Sequence, residues 1–149
     1  MIILKKQFPH CNGLEDPLLG GNGLNQFTVQ KESFVQILYA AHHWIVVHGP
    51  SKTDIDNEVY AFDSLSNNRS LHTDFIRQIC NIRNSYGKSL KITIKPSPRQ
   101  PNGVDCGVYA IANAVEICLD RSPSTFHYDQ RFMREHLLNC LEKNEFTPF

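Results

Sequence analysis

The sequence lacks an apolar run approaching the roughly 20 residues that a membrane-spanning helix needs. It also lacks an excess of charge of one sign, because 15 Lys and Arg residues balance 15 Asp and Glu residues. That balance excludes a global attraction to nucleic acid or to an anionic membrane. Residues 1–4 are apolar but are followed at once by lysines, an order and length unlike those of a signal peptide, so we expect none. We therefore expect an intracellular protein, in the cytoplasm or nucleus, that is monomeric and binds neither nucleic acid nor membrane.

Cysteine pairs at disulfide or zinc spacing are also absent. The sequence has 5 cysteines, an odd number, and none of them forms a C-x-x-C pair. Cys11, Cys80, Cys118 and Cys140 lie in apolar or helix-like segments, so we interpret them as small hydrophobic residues. Cys106 differs, because it lies between a loop rich in Pro and Gly and the start of a strongly apolar helix.

The chain has 149 residues, enough for one domain with its own core, which we expect to span residues 1–149. No internal repeat or low-complexity segment is present. We predict an irregular segment over residues 9–25, a helix from about Lys31, and strands over residues 44–47 and 59–62. We expect the two strands to form a hairpin, with a polar turn over residues 52–58 between them.

Further along the chain, Leu71, Phe75, Ile79 and Ile82 predict one face of a helix that starts at an N-cap, Thr73, and stops at Gly87. A half-exposed strand over residues 90–94, a loop over 96–104 and a buried helix over 107–119 follow. A last helix over residues 129–143 is predicted to bury Phe132, Met133, Leu137 and Leu141. Adjacent strands with segregated helices are typical of an α+β fold.

Cys106 could act as a nucleophile, because a helix N-terminus stabilises a thiolate. Asp105 opposes that effect by its charge, although its side chain could cap the helix, so a cationic partner is required. His43 opens the first strand of the hairpin and Asp63 follows the second, so pairing of the strands would bring them together. A carboxylate beside an imidazole fixes its tautomer. Gln100, in the loop before Cys106, could donate to an oxyanion.

Each of these residues also has an ordinary structural interpretation. A lone cysteine at a helix start, a histidine beside a tryptophan and an aspartate after a strand are usually structural, and only their combination favours a Cys-His-Asp hydrolase. A metal site formed by His42, His43 and His48 is disfavoured, because neighbouring strand residues point to opposite faces and no fourth ligand is evident. We interpret the basic stripe Lys91, Lys95 and Arg99 as a solvated strand face.

The local sequence around these residues resembles a known family. Residues 100–107, QPNGVDCG, resemble the Q-x-N-G-x-D-C-G motif of the ubiquitin-like-protein-specific cysteine proteases, the SUMO protease and adenovirus-protease clan. The pair His43-Trp44 resembles the histidine-tryptophan pair of that family. Residues 59–65, VYAFDSL, resemble its strand that ends in the catalytic aspartate. The resemblance covers residues 43–119 well and the flanks loosely.

The resemblance implies a papain-like α+β fold of the adenovirus-protease type, a mixed sheet with the nucleophile at the N-terminus of a buried central helix. It implies that Cys106 is the nucleophile, His43 the general base and acid, Asp63 the residue that orients His43, and Gln100 the oxyanion donor. Trp44 would form a narrow groove for a Gly-Gly tail. The implied substrate-binding residues are Trp44, Gly103, Asp105 and Gly107. No metal or organic cofactor is expected.

The implied function is a cysteine peptidase or isopeptidase that cleaves after a Gly-Gly-like C-terminus of SUMO, NEDD8 or ubiquitin, or within a polyprotein. Two alternatives stay open: an inactive module that binds a ubiquitin-like protein, and an acetyltransferase on the same Cys-His-Asp scaffold. The segment ahead of the His43 strand looks shortened, and Trp44 is the only tryptophan. Both departures indicate a divergent family member.

Overall fold

A computed structural model of the chain describes residues 1–21, 26–51, 57–65 and 70–149. Their strands are β1 (Asn12–Gly13), β2 (Phe34–Ala40), β3 (His43–Gly49), β4 (Glu58–Phe62) and β5 (Lys91–Lys95). Their helices are α1 (Ile2–Gln7), α2 (Thr73–Arg83), α3 (Cys106–Cys118) and α4 (Met133–Lys143), with 3₁₀ turns at Pro17–Gly20 and Pro123–Thr125. Residues 52–56 of the predicted turn and 22–25 of the predicted irregular segment lie outside the described residues. None of the described helices is both long and apolar enough to cross a membrane.

The strands form one mixed sheet in the order β1-β2-β3-β4-β5. The central strand β3 is antiparallel to both β2 and β4, while β1 pairs in parallel with β2 at one edge and β5 pairs in parallel with β4 at the other. The predicted hairpin of β3 and β4 is confirmed, with Val46 paired to Phe62. This register places the first residue of β3 beside the chain that leaves β4.

The sheet is buried on both faces, which gives the fold three layers. On one face, Val35 and Val46 pack in a cluster with side chains of α1, α3 and α4. On the other face, Phe34 and Ile45 pack in a cluster with side chains of α2. Since α3 packs directly on β3, the burial of apolar surface also fixes where the first residue of α3 lies relative to the start of β3.

The helix predicted from about Lys31 is wrong, because this part of the chain forms β2. Phe34 and Leu38 enter one core cluster while Val35 and Ile37 enter the other. A strand covered on both faces has no alternation of apolar and polar residues, so it lacks the pattern that identifies a half-exposed strand. Helix α1 lies in a part of the chain for which no helix was predicted.

The ends of two predicted helices also differ from the structure. The N-cap of α2 is His72 instead of Thr73, since the His72 ring accepts a hydrogen bond from the backbone N–H of Asp74 at 3.3 Å. The helix stops at Asn84, whose φ of 46° is left-handed, and not at Gly87. Asparagine can adopt this conformation at a helix end at lower cost than most residues.

The last helix starts later than expected and buries fewer of the expected residues. Helix α4 begins at Met133, which is buried, whereas Asp129 lies before it. Phe132 and Leu141 are exposed and Leu137 is half-buried, so of the four residues predicted to be buried only Met133 is. Cys140 is buried in their place.

Arg83, at the end of α2, is 2% exposed and holds the chain that leads into β2. Its guanidinium lies 4.8 Å from the centre of the Phe34 ring. It donates hydrogen bonds to the backbone carbonyls of Gln30, Lys31, Glu32 and Pro50. A single cation therefore satisfies carbonyl groups on both sides of the β2–β3 hairpin.

We expect Arg83→Ala to lower the free energy of unfolding by about 3 kcal/mol or more, because it leaves several partly buried carbonyls without a donor. Arg77→Ala, on a half-exposed side chain of the same helix, is the matched control and should cost less than about 0.5 kcal/mol. Urea unfolding followed by far-ultraviolet circular dichroism measures both variants. Equal losses for the two variants would contradict the role given to Arg83.

Candidate active site

His43 and Asp63 form an ion-pair contact where β3 begins and β4 ends. Nε2 of His43 donates to Oδ1 of Asp63 at 2.7 Å, and the two side chains are only 16% and 13% exposed. The same oxygen accepts the backbone N–H of Leu65 at 2.8 Å, which fixes the carboxylate. Nδ1 of His43 is buried and has no hydrogen-bond partner among the described residues. The imidazole is therefore held by one nitrogen and keeps the other for a reacting group.

Cys106 is the first residue of α3 and is 6% exposed. Its position at the N-terminus of a 13-residue helix places the sulfur near the positive end of the helix dipole. Because α3 packs on β3, Cys106 lies on the helix that covers the strand carrying His43. A Cβ atom added at the next residue, Gly107, would lie 3.6 Å from the Trp44 ring, so Cys106 lies at the end of β3 that carries His43.

Asp105 does not cap α3 with its side chain, contrary to expectation. Its carboxylate instead accepts a hydrogen bond from Nδ2 of Asn102 at 2.6 Å and pairs with the guanidinium of Arg134. Arg134, on α4, offsets the negative charge next to Cys106. Arg134 was not predicted from the sequence, in which the only indication of it is the unbalanced charge of Asp105.

Gln100 is 6% exposed and lies in the loop that leads to Cys106. Its Nε2 donates to the backbone carbonyl of Asn102 at 2.5 Å, and its Oε1 accepts from the hydroxyl of Ser64 at 2.5 Å. Oδ1 of Asn102 accepts the backbone N–H groups of Val104 and Asp105 at 2.9 and 3.1 Å, which closes the loop. A buried amide with both ends bound is held in one orientation.

The predicted substrate-binding residues have different surroundings. Trp44 is half-buried and packs against Tyr39, with the ring centres 4.5 Å apart and the rings tilted by 39°. A Cβ atom added at Gly107 would lie 3.6 Å from Cδ1 of Trp44, so these two residues form one surface. That surface lines a groove of about 1120 Å³, to which Val108 also contributes. A Cβ added at Gly103 would have no neighbour within 4 Å, so open space lies beside the α-carbon of this exposed residue.

The three histidines considered for a metal site do not converge on one point. His42 sits in the turn between β2 and β3 with a φ of 59°, and is exposed. His48 is near the opposite end of β3 from His43. In the described part of the chain, no three His, Cys, Asp or Glu residues are grouped so that they could hold a metal ion.

Comparison with protein-family models decides the family. The C-terminal catalytic domain of the Ulp1 protease family matches residues 33–143, a range that contains Cys106, His43, Asp63 and Gln100. The chain belongs to the Ulp1 protease family. This confirms the resemblance that the motif residues indicated.

Individual relatives agree with this membership in the Ulp1 family. NEDD8-specific protease 1 of Schizosaccharomyces pombe is 32% identical over 98 residues, which make up 58% of this chain and 23% of that protein. The C-terminal Ulp1 protease domain in complex with Smt3, the yeast ortholog of SUMO, has a TM-score of 0.54 at 21% identity, over 76% of this chain and 53% of that chain. The Ulp1-like SUMO protease catalytic domain of Chaetomium thermophilum has a TM-score of 0.56 at 20% identity, over 78% of this chain and 47% of that chain.

These similarities confirm the α+β fold of the Ulp1 type. The chain spans about half the length of the two solved domains and 23% of the curated relative. The structure of the Ulp1-type sheet accounts for the motif spacing, since His43 and Asp63 lie on neighbouring strands.

Two cysteines outside the Ulp1 motif contact each other. Cys11 and Cys118 share a side-chain hydrogen bond, and burial raises the pKa of both thiols. A raised pKa means a smaller thiolate fraction at neutral pH than in an ordinary cysteine, so these thiols should be poor nucleophiles there. This agrees with their interpretation as hydrophobic residues.

We expect iodoacetamide at pH 6.5 to modify Cys106 before Cys11 and Cys118, which should react only as the pH rises well above neutral. His43→Ala should slow the reaction of Cys106, whereas His136→Ala, whose ring contacts Cys140, should not. Peptide mass spectrometry over a time course gives the order of labelling. Labelling of Cys118 ahead of Cys106 would contradict the assignment.

Proposed function

We propose that this chain is a cysteine peptidase or isopeptidase that cleaves after a Gly-Gly-like C-terminus of a ubiquitin-like protein. The observation that supports it best is the 2.7 Å contact of His43 with Asp63, which leaves Nδ1 of His43 buried and unbonded among the described residues. Membership in the Ulp1 family supports the same chemistry.

The reaction proceeds by acyl transfer through Cys106. Nδ1 of His43 takes the thiol proton, and the sulfur attacks the carbonyl carbon of the scissile bond. His43 then returns the proton to the leaving amine, so that the C–N bond breaks and a thioester forms. Water, deprotonated by His43, attacks the thioester and releases a carboxylate and the free thiol. Asp63 holds the imidazole in the tautomer that this sequence of proton transfers needs.

Gln100 stabilises the oxyanion that forms in both steps. One N–H of its Nε2 binds the carbonyl of Asn102, and the second N–H is left for the developing negative charge. The ion pair of Arg134 with Asp105 offsets the negative charge of the residue that precedes the nucleophile. The loop before α3 therefore holds the groups that stabilise the negative charge of the oxyanion.

The substrate tail binds along the surface formed by Trp44 and Gly107. A Cβ atom added at Gly107 would be in ordinary van der Waals contact with the Trp44 ring, so the ring lies over the backbone next to Cys106. A tail held between this ring and Cys106 would be selected for small residues such as glycine. The groove of about 1120 Å³ next to them is lined largely by apolar residues. The names of the relatives, NEDD8-specific protease and SUMO protease, support a ubiquitin-like substrate.

We expect one of three probes, made from ubiquitin, SUMO or NEDD8 with a C-terminal thiol-reactive group, to form a covalent adduct with the chain. Cys106→Ala should form none, and Cys140→Ala, which removes a buried cysteine of α4, should react as the unmodified chain does. Intact-mass measurement reports the adducts.

The probes, together with a binding measurement and an assay with acetyl-coenzyme A, separate the alternatives. Binding of a probe without an adduct would identify an inactive binding module. Transfer of an acetyl group from acetyl-coenzyme A, with no reaction of any probe, would identify an acetyltransferase. Either outcome would overturn the proposed protease activity.

We expect Gln100→Ala to lower kcat by about 10²–10³-fold with little change in KM, because an oxyanion donor acts in the transition state. Gln78→Ala is the matched control, since Gln78 is an equally buried glutamine on α2 that binds the carbonyl of Tyr39 at 3.0 Å. Steady-state cleavage of the substrate chosen by the probes measures both variants. Full activity in Gln100→Ala would show that Gln100 is no oxyanion donor.

A further inference from the structure

We infer that Ser64 is a positioning residue that holds the carboxamide of Gln100 in its productive orientation. The inference rests on the proposed function and adds a residue to it. Ser64 directly follows Asp63, is 2% exposed, and donates its hydroxyl to Oε1 of Gln100 at 2.5 Å.

An amide side chain needs two different partners to be fixed, because its oxygen and nitrogen ends have almost the same shape. The carbonyl of Asn102 can only accept, so it selects Nε2 of Gln100, at 2.5 Å. The hydroxyl of Ser64 supplies the donor for the oxygen end. Gln100 is thus bound at both ends, and the remaining N–H of Nε2 has one direction available to it.

The backbone reinforces this contact. The N–H of Gln100 donates to the carbonyl of Ser64 at 3.2 Å, so the loop before α3 is tied to the end of β4 by a second hydrogen bond. Asp63 holds His43 from the same point of the chain. Two consecutive residues after β4 therefore position two catalytic groups. Asp63 positions the imidazole of His43, which transfers protons, and Ser64 positions the amide of Gln100, which binds the oxyanion.

Loss of the hydroxyl leaves Oε1 of Gln100 buried without a donor. A buried acceptor without a partner is unfavourable, so the amide turns toward other donors or water and Nε2 moves with it. The consequence is specific, because only a reaction that develops an oxyanion should be slowed. Alkylation of Cys106 displaces a group from a saturated carbon and develops none.

The test compares two small reagents, so that it does not depend on the identity of the protein substrate. With p-nitrophenyl acetate, the sulfur of Cys106 bonds to the acetyl carbon, the ester C–O bond breaks and p-nitrophenolate leaves, while the thiol proton passes through His43 to solvent. With iodoacetamide, the sulfur displaces iodide. Both rates are read for Cys106 by mass spectrometry.

We expect Ser64→Ala to slow acetylation of Cys106 about 10-fold, the effect of one lost buried hydrogen bond, and to leave alkylation unchanged. Ser85→Ala is the matched control, because Ser85 is equally buried and its hydroxyl accepts from Asn57 at 3.0 Å, away from this loop. It should change neither rate. The pair Ser64→Thr and Ser64→Val, similar in shape and differing in the hydroxyl, gives the same comparison if the alanine variant does not fold.

A double-mutant cycle tests whether Ser64 acts on the acetylation rate through Gln100. In the Gln100→Ala background, Ser64→Ala should slow acetylation no further, since there is no amide left to position. Equal effects in both backgrounds, or slowing of alkylation as much as acetylation, would overturn the inference and indicate an action through Asp63. An unmodified chain whose Cys106 reacts with neither reagent would overturn the proposed function itself.

Discussion

The antiparallel register of β3 against β4 is the constraint on which the candidate site depends. With Val46 opposite Phe62, the first residue of β3 lies beside the first residues after β4. His43 can then reach Asp63 without any long loop to carry it. A shift of this register would separate the imidazole from the carboxylate, and burial of both faces of the sheet opposes such a shift.

The loop before α3 is held by polar contacts that all act within a few residues of Cys106. Asn102 binds the backbone of the residues that follow it, and its carbonyl binds Gln100. Arg134, on α4, forms an ion pair with Asp105, so a residue distant in sequence offsets the negative charge next to Cys106. Preorganised donors of this kind stabilise a developing charge without having to rearrange during the reaction.

Much of this arrangement could be predicted from the sequence. The hairpin and the starts of α3 and β5 were predictable because their apolar patterns are local and are punctuated by Gly and Pro. The helix predicted from Lys31 failed because β2 is covered on both sides and shows no alternation. The predicted start of the last helix, at residue 129, was wrong because the turn before α4 has the composition of a helical first turn. Arg131 pairs with Asp129 in this turn.

The sequence alone determines the order and chemistry of the motif residues. They are a cysteine at a helix start, a histidine at a strand start, an aspartate at a strand end and a glutamine in the loop before the helix. These identities depend on local sequence and on strand pairing of near neighbours. The contacts of Ser64 with Gln100 and of Arg134 with Asp105 join residues 36 and 29 positions apart and leave no periodic signal. Only the packing of α3 and α4 against the sheet brings those groups together, because a hydrogen bond depends on position in space and not on position in sequence.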